Sequence, residues 1–303
     1  MSRRTTVYAA CLACLLAAAP AGAWHGKGHL LASRQAAALL PPEVPAFLRD
    51  GATAVAHFSL DPDTFTRPIA PDDLHAAESP EHFFDLERLA GADIPARRYD
   101  LLAWCYKNDL APAKVGLAPY AIAEWTQRLT VAFAEHRRWG DNPHIRQKCL
   151  LYAGMLAHYA QDVCQPLHTT VHYDGRLKDD GASPRSGIHN KLDALLGKLP
   201  AGAKAGVASQ DIQPLEALFP AVIEQIKASH ALVDKVYEME KLLPAYEEPM
   251  KAGSQAEAFA RDRLNAAAAF TARLILTAWR DSAGVKLPDW HQRADEEANG
   301  QAK

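Results

Sequence analysis

Histidines and carboxylates at helical spacing are the first chemistry visible in this sequence. In His158-Tyr-Ala-Gln-Asp162-Val-Cys-Gln-Pro-Leu-His168, His158 and Asp162 lie four residues apart. On a helix that spacing points both side chains from one face. An imidazole nitrogen and a carboxylate oxygen are ordinary zinc ligands. Pro166 cannot continue a helix, so the helix is expected to end near Cys164 or Gln165, and the chain can fold His168 back over the same face. His189 and Asp193 repeat the spacing farther on. The spacing alone is weak: the composition predicts about one His-x-x-x-Asp pair by chance. The chain has more, among them those starting at His57, His158, His189 and His291. Any one pair is most simply a helix-surface contact, and the pair at His291 falls in a polar tail. The weight comes from the pairs taken together with what lies upstream.

The upstream region begins with a targeting pattern. Arg3 and Arg4 precede an apolar run from Tyr8 to Ala19, and Ala21-Gly22-Ala23 is a small-x-small cleavage site. Residues 1–23 therefore read as a signal peptide, and removing it makes Trp24 the first residue. A free α-amino group and a backbone carbonyl can chelate one metal in a five-membered ring. His29, at the start of the next helix, can reach the same ion. His82-Phe83-Phe84-Asp85 then supplies another histidine, after a segment holding Asp61 and Asp63. Either aspartate can face the site; Asp63 is preferred and Asp61 is its rival.

Taken in order, these motifs make the chain resemble the trinuclear-zinc superfamily that joins the single-strand-specific 3′-nucleases to the bacterial zinc-dependent phospholipases C. The likeness runs from Trp24 to about Asp193. It implies one zinc on Trp24 and His29, a second on Asp63, His82 and His158, and a third on His168, His189 and Asp193. It implies that Asp162 bridges the first two ions, and that Asp63 and Asp162 are the catalytic carboxylates, Asp63 helping to orient the water held there. Three features resemble the nuclease branch: the short gap from Trp24 to His29, the Gln165-Pro166-Leu167-His168 spelling, and a final Asp193 where the phospholipases usually have Glu. One segment departs. Nucleases carry Asp-x-Gly-Gly-Asn in the loop before the final histidine, whereas this chain has Asp179-Asp180-Gly181-Ala182-Ser183. Phe83 matches an aromatic residue that stacks on a base in nucleases; a core role explains it equally well.

The elements that must hold these residues read as helices. Apolar periodicity predicts helices over 26–40, 119–139, 143–165, 187–198, 211–243 and 254–284. Residues 41–94 read as loops and short helices, and 170–186 as a polar Gly/Asp/Ser/Pro loop. No convincing strand, fixed-period repeat or inter-domain linker is visible. The expectation is an all-α chain: a single-domain multi-helix fold of the zinc phospholipase C and nuclease type over 24–285, with a polar tail over 286–303.

Composition sets the outer limits. The formal charge is −3, and losing Arg3 and Arg4 makes the mature chain more acidic. A general nucleic-acid binder would carry a basic stripe, so phosphate affinity has to come from a local site. No apolar run is long enough for a transmembrane helix. Three cysteines follow Trp24, so at most one disulfide can form. The expectation is a secreted or periplasmic monomer with three zinc ions that hydrolyses single-stranded nucleic acid or 3′-nucleotides. Zinc lowers the pKa of water from near 16 to about 7, and paired ions about 4 Å apart clamp a phosphodiester for in-line attack. The alternatives are a phospholipase C acting on lipid head groups and a non-catalytic zinc-binding protein.

Overall fold

Proline and capping residues decide where the site's main helix begins. The helix Pro143–Asp162 starts with Pro143 in its first turn, where a missing N–H costs nothing. Asn142 caps it, its side chain accepting from the backbone N–H groups of His144 and Ile145. The last residue of that helix is Asp162, and a short 3₁₀ turn, Pro166–Thr169, follows at once. Pro166 therefore acts as expected, and the turn carries His168 back towards the helix end.

The computed structural model describes residues 24–292. The signal peptide expected at 1–23 and residues 293–303 of the expected tail lie outside the described residues. The described chain is all-α: helices and 3₁₀ turns follow one another, with only isolated bridges, Phe84 to Gly116 and Tyr173 to Gly175. The long helix Ala118–Arg138 packs on Pro143–Asp162, and Gln255–Ser282 packs on both Ala118–Arg138 and the N-terminal helix Gly26–Leu39. The short helix Ala52–Phe58 lies against Gly26–Leu39 and Pro143–Asp162. One hydrophobic core runs through them, including Ala32, Leu129, Phe133, Leu156, Leu264 and Leu274. No described helix is long and apolar enough to cross a membrane. Cys105, Cys149 and Cys164 are buried and unpaired by disulfides.

One expectation is corrected. The continuous helix expected over 211–243 is instead Leu218–His230, Val233–Glu238 and the turn Glu240–Leu242. Pro220 lacks an N–H and is tolerated only in a first turn, so the helix has to begin just before it. Residues 286–292 of the expected polar tail are mostly exposed, with His291 making a contact to the body of the fold. His291 Nε2 lies 2.7 Å from Glu135 Oε1, and Lys148 pairs with the same buried carboxylate. A buried charge needs such partners, which is why this part of the chain is held.

Candidate metal centre

Four short helices or turns and two helix ends bring eight side chains together. His29 comes from the first turn of Gly26–Leu39, and Asp63 from the short helix Asp61–Phe65. His82 ends the 3₁₀ turn Ser79–His82, and His158 and Asp162 occupy the last turn of their helix. His168 lies on the turn Pro166–Thr169, and His189 and Asp193 on the helix Ile188–Asp193. All eight are buried. They form three groups that could each hold a metal ion: His29 with His158 and Asp162; Asp63 with His82 and His158; His168 with His189 and Asp193.

Hydrogen bonding fixes which nitrogen of each ring faces the groups. The Nδ1 of His158 lies 2.8 Å from the Ser59 carbonyl, that of His168 lies 2.7 Å from the His82 carbonyl, and that of His189 lies 3.1 Å from the Tyr173 carbonyl. A carbonyl can only accept, so each Nδ1 carries the proton and donates it. The Nε2 lone pair is then left facing inward, the state a metal requires. His29 does the same through the Gln161 side-chain oxygen, at 2.8 Å. His82 is reversed. Its Nδ1 faces inward, 2.9 Å from Asp162 Oδ2 and 3.0 Å from His158 Nε2.

Asp162 lies between two groups. Its Oδ1 is 3.4 Å from His29 Nε2, while its Oδ2 is 2.9 Å from His82 Nδ1 and 3.3 Å from His158 Nε2. Asp63 Oδ1 is 4.0 Å from His158 Nε2. In the third group Asp193 Oδ2 is 3.1 Å from His189 Nε2, and its Oδ1 is 3.9 Å from His168 Nε2. Ligands on a tetrahedral zinc, each about 2 Å from the ion, are about 3.3 Å apart. These distances are close to that. Asp63 Oδ1, Asp162 Oδ1, His168 Nε2 and His189 Nε2 are also buried with no hydrogen-bond partner among the described residues. Buried polar atoms are normally satisfied, so inward-facing ones without a partner fit a cation better than a sealed core.

The electrostatics agree. Burial pushes the His158 imidazole down, but the Asp162 carboxylate outweighs it and holds it up at about 9. Burial also opposes charge on Asp162, yet His158 and His82 hold its carboxyl well below the usual carboxylate range. His29 is pushed down to about 4, chiefly by burial and then by His158. Burial and the neighbouring His189 lower His168, while Asp193 overcomes burial to raise His189. The charge distribution favours positive charge beside Asp162.

The other expected residues are placed as follows. Trp24 is fully buried, and its indole Nε1 donates to the Gln161 carbonyl at 2.9 Å. Asp61 stands outside the groups and lines a neighbouring cavity. Phe83 is half-buried beside Gly116, outside that cavity's lining. Asp85, of the same motif, turns to Arg88 at 2.9 Å. His57 is exposed, and Arg67 lies 3.8 Å from Asp63 Oδ2.

Two glutamines support the groups; Gln165 belongs to the Gln-Pro-Leu-His spelling, whereas Gln161 carried no signal of its own in the sequence. Gln161 holds His29 with its side-chain oxygen and donates to Ser33 at 2.9 Å. Gln165 donates to Asp193 Oδ1 at 2.7 Å and accepts from the Leu167 N–H. Beside the centre opens a cavity of about 600 Å³ whose walls include Asp61, Phe65, Glu78, Trp125 and Tyr159. Arg98 at its edge is already clamped, 2.9 Å from Glu81 Oε2 and 2.8 Å from Glu124 Oε1. No family model and no curated protein matches the chain.

Proposed function

We propose that this protein is an exported zinc-dependent phosphodiester hydrolase of the nuclease and 3′-nucleotidase type, acting on single-stranded nucleic acid or nucleotides. The observation that carries the reading is Asp162, whose two buried oxygens face two different ligand groups. That is the arrangement expected of a carboxylate shared by a pair of ions. His29 and Asp162 would hold one ion, with the Trp24 amino terminus exposed by processing. Asp63, His82, His158 and Asp162 would hold a second; His168, His189 and Asp193 would hold a third. When bound, zinc supplies Lewis acidity that makes water acidic near neutral pH and draws in phosphate oxygens.

The chain's own residues do the rest. The Ser59, His82 and Tyr173 carbonyls and the Gln161 side chain hold four imidazoles with their lone pairs inward. Asp63 Oδ1 is buried and without a hydrogen-bond partner among the described residues, available to orient a water molecule or an ion. The cavity beside Glu78 and Tyr159 is within the size range of small-ligand sites, and its aromatic walls, Phe65 and Trp125, suit a flat ring.

The test is a turnover screen of zinc-loaded protein with Trp24 as its first residue. The panel is single-stranded DNA, RNA, 3′-nucleotides and phosphatidylcholine. Nucleotide or nucleic-acid hydrolysis is expected. Phosphatidylcholine hydrolysis without nucleotide turnover would reassign the protein as a phospholipase C, and tight zinc with no turnover on any substrate would reassign it as a zinc-binding protein.

A further inference from the structure

His82 differs from the other four clustered histidines. Each of those has its outward nitrogen on an oxygen acceptor 2.7–3.1 Å away. His82 turns Nδ1 inward, and its outward Nε2 is buried with no hydrogen-bond partner among the described residues. The carboxylate facing it belongs to Glu78, one turn earlier, with Oε1 3.7 Å from Nε2. Glu78 is itself held, because the Tyr159 hydroxyl donates to the same oxygen. The Tyr159 ring also packs edge-on against His82, with centroids 5.5 Å apart, and against His158.

We infer that Glu78 is a positioning residue for the second metal: its carboxylate accepts the Nε2 proton of His82 while Nδ1 binds the ion. An imidazole with Nδ1 on a metal must carry its proton on Nε2. A buried N–H cannot stay unpaired without a free-energy cost, and Glu78 is the acceptor at hand. Closing 3.7 Å to a hydrogen bond needs a movement of less than 1 Å. The bond fixes the ring's orientation and makes its ligating nitrogen more basic. Tyr159 keeps Glu78 from turning into the cavity, whose wall both residues form.

This inference rests on the reading that His82 is a metal ligand, and the test separates the two. Zinc and cobalt affinities are measured by chelator competition on wild type, Glu78→Ala, Glu78→Gln and Tyr159→Phe, together with the visible spectrum of the cobalt forms. Glu78→Ala is expected to weaken one ion by about 10–100-fold and to shift the cobalt bands. Glu78→Gln keeps an oxygen acceptor and is expected to recover most of the affinity; Tyr159→Phe is expected to lose less than Glu78→Ala. Histidine ¹⁵N spectra of the zinc-loaded wild type need no variant, and they should show a slowly exchanging proton on His82 Nε2. Wild-type affinity and spectrum in Glu78→Ala, or an unprotonated His82 Nε2, overturns the inference alone. A wild type that binds no metal overturns the centre and this inference with it.

Discussion

Asp162 is the residue on which the centre turns. Replacing it by Asn keeps the size but removes the charge that two ligand groups share. Asp162→Asn is therefore expected to lose at least one zinc and to slow turnover by at least about a hundredfold, the scale on which misplaced reacting groups are felt. Metal content and rate measured side by side on both proteins check this; near-normal values for both would place the chemistry elsewhere. A second prediction concerns Asp85. Burial, only partly offset by Arg88, pushes its carboxyl up from 3.8 to about 6. Because the folded value is the higher one, folding favours the protonated acid. Its contribution is complete below about pH 4 and is lost as pH rises through 6. The stability of wild type relative to Asp85→Asn should therefore fall across that window, by up to about 3 kcal/mol. Urea unfolding of both proteins at pH 4, 5, 6 and 7 measures it, and a constant difference contradicts it. At this scale the sequence was most legible where two ligands share a helix turn, as in His158 with Asp162 and His189 with Asp193. It preferred Asp63 but kept Asp61 as a rival, because both lie in one short turn and only packing decides which faces inward. Gln161 and Glu78 were invisible, since an amide or carboxylate that supports a ligand leaves no spacing of its own.

Among the elements, the approach of Ala52–Phe58 to Pro143–Asp162 sets the height of His158. Gly154 makes that approach possible: a Cβ there would stand 2.5 Å from Phe58 Cβ and 2.8 Å from the Val55 carbonyl. The same short helix leads to Ser59, whose carbonyl orients His158. Gly154→Ala should therefore cost roughly 1–3 kcal/mol by overpacking and weaken metal binding as well. Gly284→Ala is the control. Among the described residues its added carbon meets only the Asp281 carbonyl, at 3.6 Å, so it should stay within about 0.5 kcal/mol. Thermal unfolding of the two variants with and without metal separates them, and equal effects would deny the close approach. The long helices were legible from periodicity and from Pro143 and Pro166. The break in 211–243 was missed because the apolar pattern continues through it while Pro220 forbids the backbone to do so. The helix Arg98–Lys107 has Trp104 and Tyr106 with little contrast between its faces, and it fell where the sequence suggested no element.

For the whole molecule, the fold works by tying chain segments far apart in sequence to one point near the end of Pro143–Asp162. Gln161 shows this best: its carbonyl holds the Trp24 indole while its side chain holds His29. If the Trp24 amino group is a ligand, residues retained before it should weaken one ion and lower activity. Proteins beginning at Trp24 and a few residues earlier, compared by metal content and rate, test this; equal values would remove Trp24 from the centre. The claim under all of these is that eight buried side chains and one amino terminus form a three-metal site. Elemental analysis of protein that begins at Trp24, purified without chelator, tests it most directly. About three zinc ions per chain is the result expected from three ligand groups of the size zinc prefers. One ion or none in folded protein contradicts it.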